Sequence, residues 1–96
     1  MINGNVNEFL DELTYEDHYV LYKGKKYFFN GCQCQFDSNH KVISATIGVY
    51  NFSDNKELAS FTENSIVACI NALSSAKLFD GKSFWDVEAK MEWIDG

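Results

Sequence analysis

Apolar residues in this chain recur with two different periods, and the change from one to the other divides it into predicted elements. Val6, Phe9, Leu10 and Leu13 stand at i, i+3, i+4 and i+7, which places them on one face of a helix over residues 5–13. Asn5 is positioned to cap that helix, with Glu8 three residues on, and Asp11 and Glu12 fall on the opposite face. From His18 the period shortens to two. His18 to Tyr22 is rich in β-branched and aromatic residues, Lys23-Gly24-Lys25 reads as a tight turn, and Lys26 to Phe36 reads as a second strand. After the turn cluster Asp37-Ser38-Asn39-His40, Val42 to Phe52 alternates, with Ile43, Ala45, Ile47 and Val49 on one face. Ser53 to Lys56 forms another turn and Glu57 to Phe61 a short fourth strand. Turns this short join strands that run antiparallel.

The helical period then returns. Ile66, Cys69, Ile70, Leu73 and Ala76 make a continuous apolar stripe, with Ser60 and Glu63 as its predicted capping box and Asp80-Gly81 as the turn beyond it. Ser83 to Ile94 supports two readings. As a helix, Ser83 caps it, Phe84, Val87, Met91 and Ile94 face the core, and Trp85, Ala89 and Trp93 form a second stripe on the far side. As a strand, Trp85, Val87, Ala89, Met91 and Trp93 alternate with charged residues. The cap and the helix-forming composition favour the helix. The expected architecture is therefore α+β: a three- or four-stranded antiparallel meander, a short N-terminal helix, and one or two C-terminal helices packed on one face. A single domain spanning residues 1–96 accommodates it, since 96 residues leave no room for a second core.

Composition narrows the functions open to such a fold. The chain is 46% hydrophobic and 16% aromatic, enough for a packed core. No run approaches the roughly 18 apolar residues of a membrane span. Met1 to Asn5 offers neither a basic region nor an apolar stretch, so no signal peptide is expected and the cytoplasm is the expected compartment. Cys32, Cys34 and Cys69, odd in number and widely spaced, read as free thiols rather than a secreted disulfide framework. Net charge is −6, with fourteen acids against eight lysines and no arginine. Direct binding of DNA or RNA is disfavoured by that balance. The acids are unevenly placed: residues 1–17 hold Glu8, Asp11, Glu12, Glu16 and Asp17 and no lysine.

Candidate chemistry is sparse. Cys32 and Cys34 share a strand face, but C-x-C is not the usual spacing of zinc ligands, and core packing accounts for them together with Cys69. His18, at a strand start, and His40, in a turn, read as solvated, and no nucleophile elbow, Walker loop or dinucleotide-binding glycine pattern occurs. No catalytic site, cofactor or metal is expected. In element order, helix–three strands–helix, the chain resembles the double-stranded-RNA-binding family. Where that family carries a lysine-rich start to its final helix, this sequence has Thr62-Glu63-Asn64-Ser65, so the phosphate contact and the RNA function are not carried over.

Two features remain as candidate partner surfaces. One is the acidic segment, with Asp11, Glu12, Glu16 and Asp17, which suits a basic protein partner. The other is the pair Trp85 and Trp93, should they share an exposed helix face. In size, charge and lack of arginine the chain is similar to small acidic inhibitors and immunity proteins of bacteria, phages and mobile elements. The leading expectation is a non-catalytic protein-binding module of that kind. The alternatives are a small-molecule binder with Tyr27, Phe29 and Tyr50 lining a pocket between the sheet and the second helix, or a homodimer formed through the tryptophan stripe.

Overall fold

A computed structural model describes residues 1–94. Helix α1 (Val6–Glu12) is followed by strands β1 (His18–Tyr22), β2 (Lys25–Phe29), β3 (Gln33–Phe36), β4 (Val42–Asn51) and β5 (Lys56–Glu63). Then come α2 (Ile66–Ser75), a single turn α3 (Phe84–Val87) running into a 3-10 turn (Glu88–Lys90), and β6 (Glu92–Ile94). All strand pairs are antiparallel. Across the sheet the order is β6-β1-β2-β4-β5, and β3 shares with β2 the edge of β4 that faces away from β5. The α+β class, the antiparallel meander and the short N-terminal helix expected from the sequence are all present, in a sheet widened to six strands.

Local sequence explains each boundary. Asn5 accepts hydrogen bonds from the Asn7 and Glu8 amides and starts α1. Lys23 and Gly24 both take positive φ, at 50° and 77°, as a two-residue hairpin between Tyr22 and its partner Lys25 requires. Alternation along β4 puts Ala45, Ile47 and Val49 in the core, facing the helices with Val20, Tyr22, Tyr27 and Phe29. From α1 and α2 come Phe9, Leu13, Cys69 and Leu73, and from the C-terminal segment Phe79, Phe84, Val87 and Met91. On the opposite, helix-free face, Tyr19, Phe28, Tyr50 and Phe52 form a run of aromatic contacts, with Lys26 Nζ 4.1 Å from the centre of the Phe52 ring.

Three expectations are corrected. The strand read over Lys26 to Phe36 is two strands, interrupted at Asn30–Cys32, because residues from the far side of α1 bind that backbone. The cap of α2 is Ser65, whose hydroxyl accepts from the Ala68 amide; Ser60 and Glu63 stay in β5, held by pairing with Gly48 and Ala45. Lastly, Ser83 to Ile94 is neither one helix nor one strand. Ser83 and Asp86 close a capping box around α3, and two turns later the chain extends so that Trp93 pairs with Val20. The outer edge of β6 is covered by Asn3, whose amide side chain accepts from Trp93 N at 2.8 Å and donates to Trp93 O at 2.7 Å.

Candidate functional site: an acidic corner beside an apolar groove

The lysine-free segment folds into one corner of the molecule. Helical winding continues past α1, with Tyr15 N and Glu16 N both donating to Glu12 O. Asp11 and Tyr15 are therefore one turn apart, as are Glu12 and Glu16. Tyr15 is 64% exposed. Local desolvation, followed by the negative fields of Glu12, Glu16 and Asp11, raises its phenol above the ordinary tyrosine range. Like charges one turn apart destabilise a helix end by a few tenths of a kcal/mol. Here that cost is retained around an exposed aromatic ring.

Beside this corner lies a groove of about 250 Å³ between α1 and α2. Leu10, Ile66, Val67 and Ile70 give it an apolar floor and wall, and Asn7, Asp11, Thr14 and Asn71 a polar rim. Val67, 70% exposed, projects from α2 on the groove side. Asp11 belongs to both features, lining the groove and sitting in the carboxylate cluster around Tyr15.

The predicted acidic residues do not all play the same part. Asp11 and Glu16 are exposed, and Glu12 is half-buried with its carboxylate 4.0 Å from His18 Nε2. Asp17 is a structural anchor: its Oδ1 accepts a 2.6 Å hydrogen bond from Gly31 N, and next to it Cys32 N donates to Leu13 O. These two bonds tie the loop after α1 to the break between β2 and β3. Removing a charged acceptor from a partly buried amide leaves that amide unpaired. Asp17→Ala is accordingly expected to lower stability by about 1.5 kcal/mol, read from urea unfolding.

The tryptophans do not form the expected stripe. Trp85 is 49% exposed on α3, whereas Trp93 is half-buried in β6 with its ring edge-on to Phe9 at 5.3 Å. They stand on different elements because the helix ends at Val87. The pocket imagined between sheet and α2 is likewise not formed by its proposed lining. Tyr27 and Phe29 are core residues, and Tyr50 lies on the other side of the sheet.

Against the solvated position expected from the sequence, the His18 side chain is only 11% exposed. Phe9 and Trp93 pack on its ring, at 5.5 and 5.0 Å between centroids. Trp93 Nε1 donates to His18 Nδ1 at 3.2 Å, so in the neutral ring the proton sits on Nε2. That Nε2 is fully buried and has no hydrogen-bond partner among the described residues. An unpaired polar atom at such a place costs about 1–3 kcal/mol.

The three cysteines are free thiols packed on the core, Cys69 buried and Cys32 and Cys34 half-buried. Burial, then the neighbouring Cys69 and Cys34, pushes the Cys32 thiol up to about 12, and burial also raises Cys69. Thiols of that kind stay protonated at neutral pH and are poor nucleophiles. Cys69 Sγ donates to Phe61 O at 3.3 Å, which fits packing in the core.

The sequence reading gives no role to Tyr15 or Val67 and takes His18 as solvated. Tyr15 carries a local signal, an aromatic residue four places from Asp11 inside a lysine-free run. The groove and the burial of His18 depend on contacts between distant segments and have no local signal. In comparisons with known proteins no family model matches the chain, and no curated protein or solved structure matches it either.

Proposed function

We propose that this chain is a non-catalytic docking module that receives a basic amphipathic segment of another protein on its α1–α2 corner. The observation that carries the reading is the continuity, through Asp11, of an apolar groove with a carboxylate cluster around exposed Tyr15. Leu10, Ile66, Val67 and Ile70 would take the partner's apolar side chains, and Asp11, Glu12 and Glu16 its lysines or arginines. An apolar centre with a charged rim and a tyrosine is how protein interfaces concentrate binding energy. The single sign of the corner favours fast, salt-sensitive association.

A synthetic amphipathic Leu/Lys helix titrated into isotope-labelled protein tests this, with a Leu/Glu helix as control. Amide shifts are expected to concentrate at Leu10, Asp11, Tyr15, Val67 and Ile70 for the basic peptide alone. The triple variant Asp11→Asn, Glu12→Gln, Glu16→Gln is expected to weaken binding about tenfold, since exposed charge pairs contribute about 0.2–1 kcal/mol each. Shifts spread over the helix-free sheet face, or equal binding of both peptides, would sink the proposal.

A further inference from the structure

The hydrogen bond between Trp93 and His18 exists only while the imidazole is neutral. Trp93 Nε1 donates and cannot accept, so His18 Nδ1 must keep its lone pair free to receive the 3.2 Å bond. The neutral ring's proton then lies on Nε2, which is buried and stands 4.0 Å from Glu12 Oε1, beyond hydrogen-bond reach. Two charged groups face it, since one atom of each of the Glu12 and Glu16 carboxylates and one ring nitrogen lie within 4.8 Å of one another. Asp17, next in the chain, is bound to Gly31 N. The other elements packed on the ring contribute Phe9 of α1, Trp93 of β6 and the strand partner Phe29 of β2, none of them charged. We infer that protonation of His18 is a switch that releases the Trp93 indole and draws Glu12 inward, so that acid weakens docking of a basic segment on the corner.

A second proton on the ring has one place to go, which is Nδ1. Nδ1–H then opposes Trp93 Nε1–H with no acceptor between them, and the bond is lost. On the other side of the ring the imidazolium gains. Closing the 4.0 Å gap turns the unpaired Nε2–H into a charge-assisted hydrogen bond to Glu12. The change is local, because Trp93 keeps its strand pairing with Val20 and the clasp of Asn3 while its indole loses an acceptor. At the corner a positive charge enters beside Glu12 and Glu16, and Glu12 is occupied from within. Less negative charge then remains for a partner's lysines or arginines. The effect on docking rests on the function proposed above, whereas the exchange between Trp93 and Glu12 stands without it.

The test follows Trp93 emission from about pH 8 to pH 5, the interval in which histidine changes charge, together with the His18 ring signals by NMR. A Trp85→Phe background leaves Trp93 as the one indole. One transition shared by both signals is expected. It should persist in His40→Asn, which removes the other histidine, and vanish in His18→Gln, whose amide oxygen can accept from the indole at every pH. The basic Leu/Lys peptide should bind about fivefold more weakly at the acid end, the ratio that one exposed charge pair sustains. Glu12→Gln should reduce that dependence. Trp93 emission that stays constant while His18 titrates overturns the switch, and so does a His18 ring that remains neutral down to pH 5. A Trp93 transition alongside peptide affinity that does not change with pH overturns the link to docking alone. A peptide that fails to bind even at pH 8 overturns the docking function and that link, and the emission titration still decides the switch.

Discussion

Phe9→Ala is expected to destabilise this protein by about 4 kcal/mol, within the range for truncating a fully buried aromatic residue. The size follows from what the ring joins. Phe9 has no exposed surface. It stacks on Phe84 at 5.7 Å, meets Phe29 edge-on at 5.5 Å and Trp93 at 5.3 Å, and touches His18 at 5.5 Å. One side chain of α1 therefore contacts β1, β2, α3 and β6. Its neighbours are themselves held by the sheet and cannot collapse into the space it leaves, so most of the cavity cost remains. Domains of this size have total stabilities of only about 5–10 kcal/mol, and a loss of this magnitude brings the unfolded population within reach of mild denaturant. Leu10→Ala, one residue along, supplies the contrast. Leu10 is half-buried at the groove, and its truncation is expected to cost about 1 kcal/mol in stability while weakening peptide docking. Urea unfolding of the two variants gives the comparison. Equal losses would mean that α1 is not seated through Phe9.

Where a residue's environment is set by its sequence neighbours, the fold was legible. The Val6, Phe9, Leu10, Leu13 face of α1 and Ala45, Ile47 and Val49 of the β4 row follow from spacing, because each period maps onto a buried side, whereas Ile43 of the same predicted row is 53% exposed toward the end of the strand. Two elements resisted for opposite reasons. In Ser83 to Ile94 both periods are present, since the chain uses the capping box of Ser83 and Asp86 first and the strand alternation of Met91 and Trp93 afterwards. In Lys26 to Phe36 the local signal is continuous strand, and the break comes from outside, from Asp17 and Leu13 binding Gly31 and Cys32. The candidate site divides in the same way. Asp11, Glu12 and Glu16 were visible as an acidic run, because charge clustering within one helical turn survives folding. Asp17 belonged to that run by composition but is spent on Gly31. Trp93 looked exposed on a helical wheel and is instead held between Phe9 and His18. Only long-range contacts determine these roles.

The junction that the sequence concealed is also where the smallest substitution has a large effect. Gly31→Ala is expected to cost about 3 kcal/mol, the upper end for forcing atoms into a packed site. A Cβ added at Gly31 would lie 2.7 Å from Glu16 C, 2.9 Å from Glu16 O and 3.0 Å from Glu16 N. Those are backbone atoms, which cannot rotate away as a side chain does. Relief requires moving the loop after α1, and that movement strains the 2.6 Å bond from Gly31 N to Asp17 and the bond from Cys32 N to Leu13 O. Gly48→Ala is the informative control, because there the added Cβ meets only the Tyr50 ring, at 3.1 to 3.3 Å, on the open face of the sheet. That ring can swing, so a loss of about 1 kcal/mol or less is expected. The displaced loop carries Tyr15 and Glu16, and Gly31→Ala therefore has a second readout. At temperatures where it remains folded, the variant should bind the basic peptide more weakly than the natural chain, although Gly31 lies outside the groove and its acidic rim. Unfolding curves that show equal losses for the two alanine variants would mean that the approach of Gly31 to Glu16 is loose. The corner would then not be held in place by the β2–β3 break, and the docking proposal would lose its rigid support.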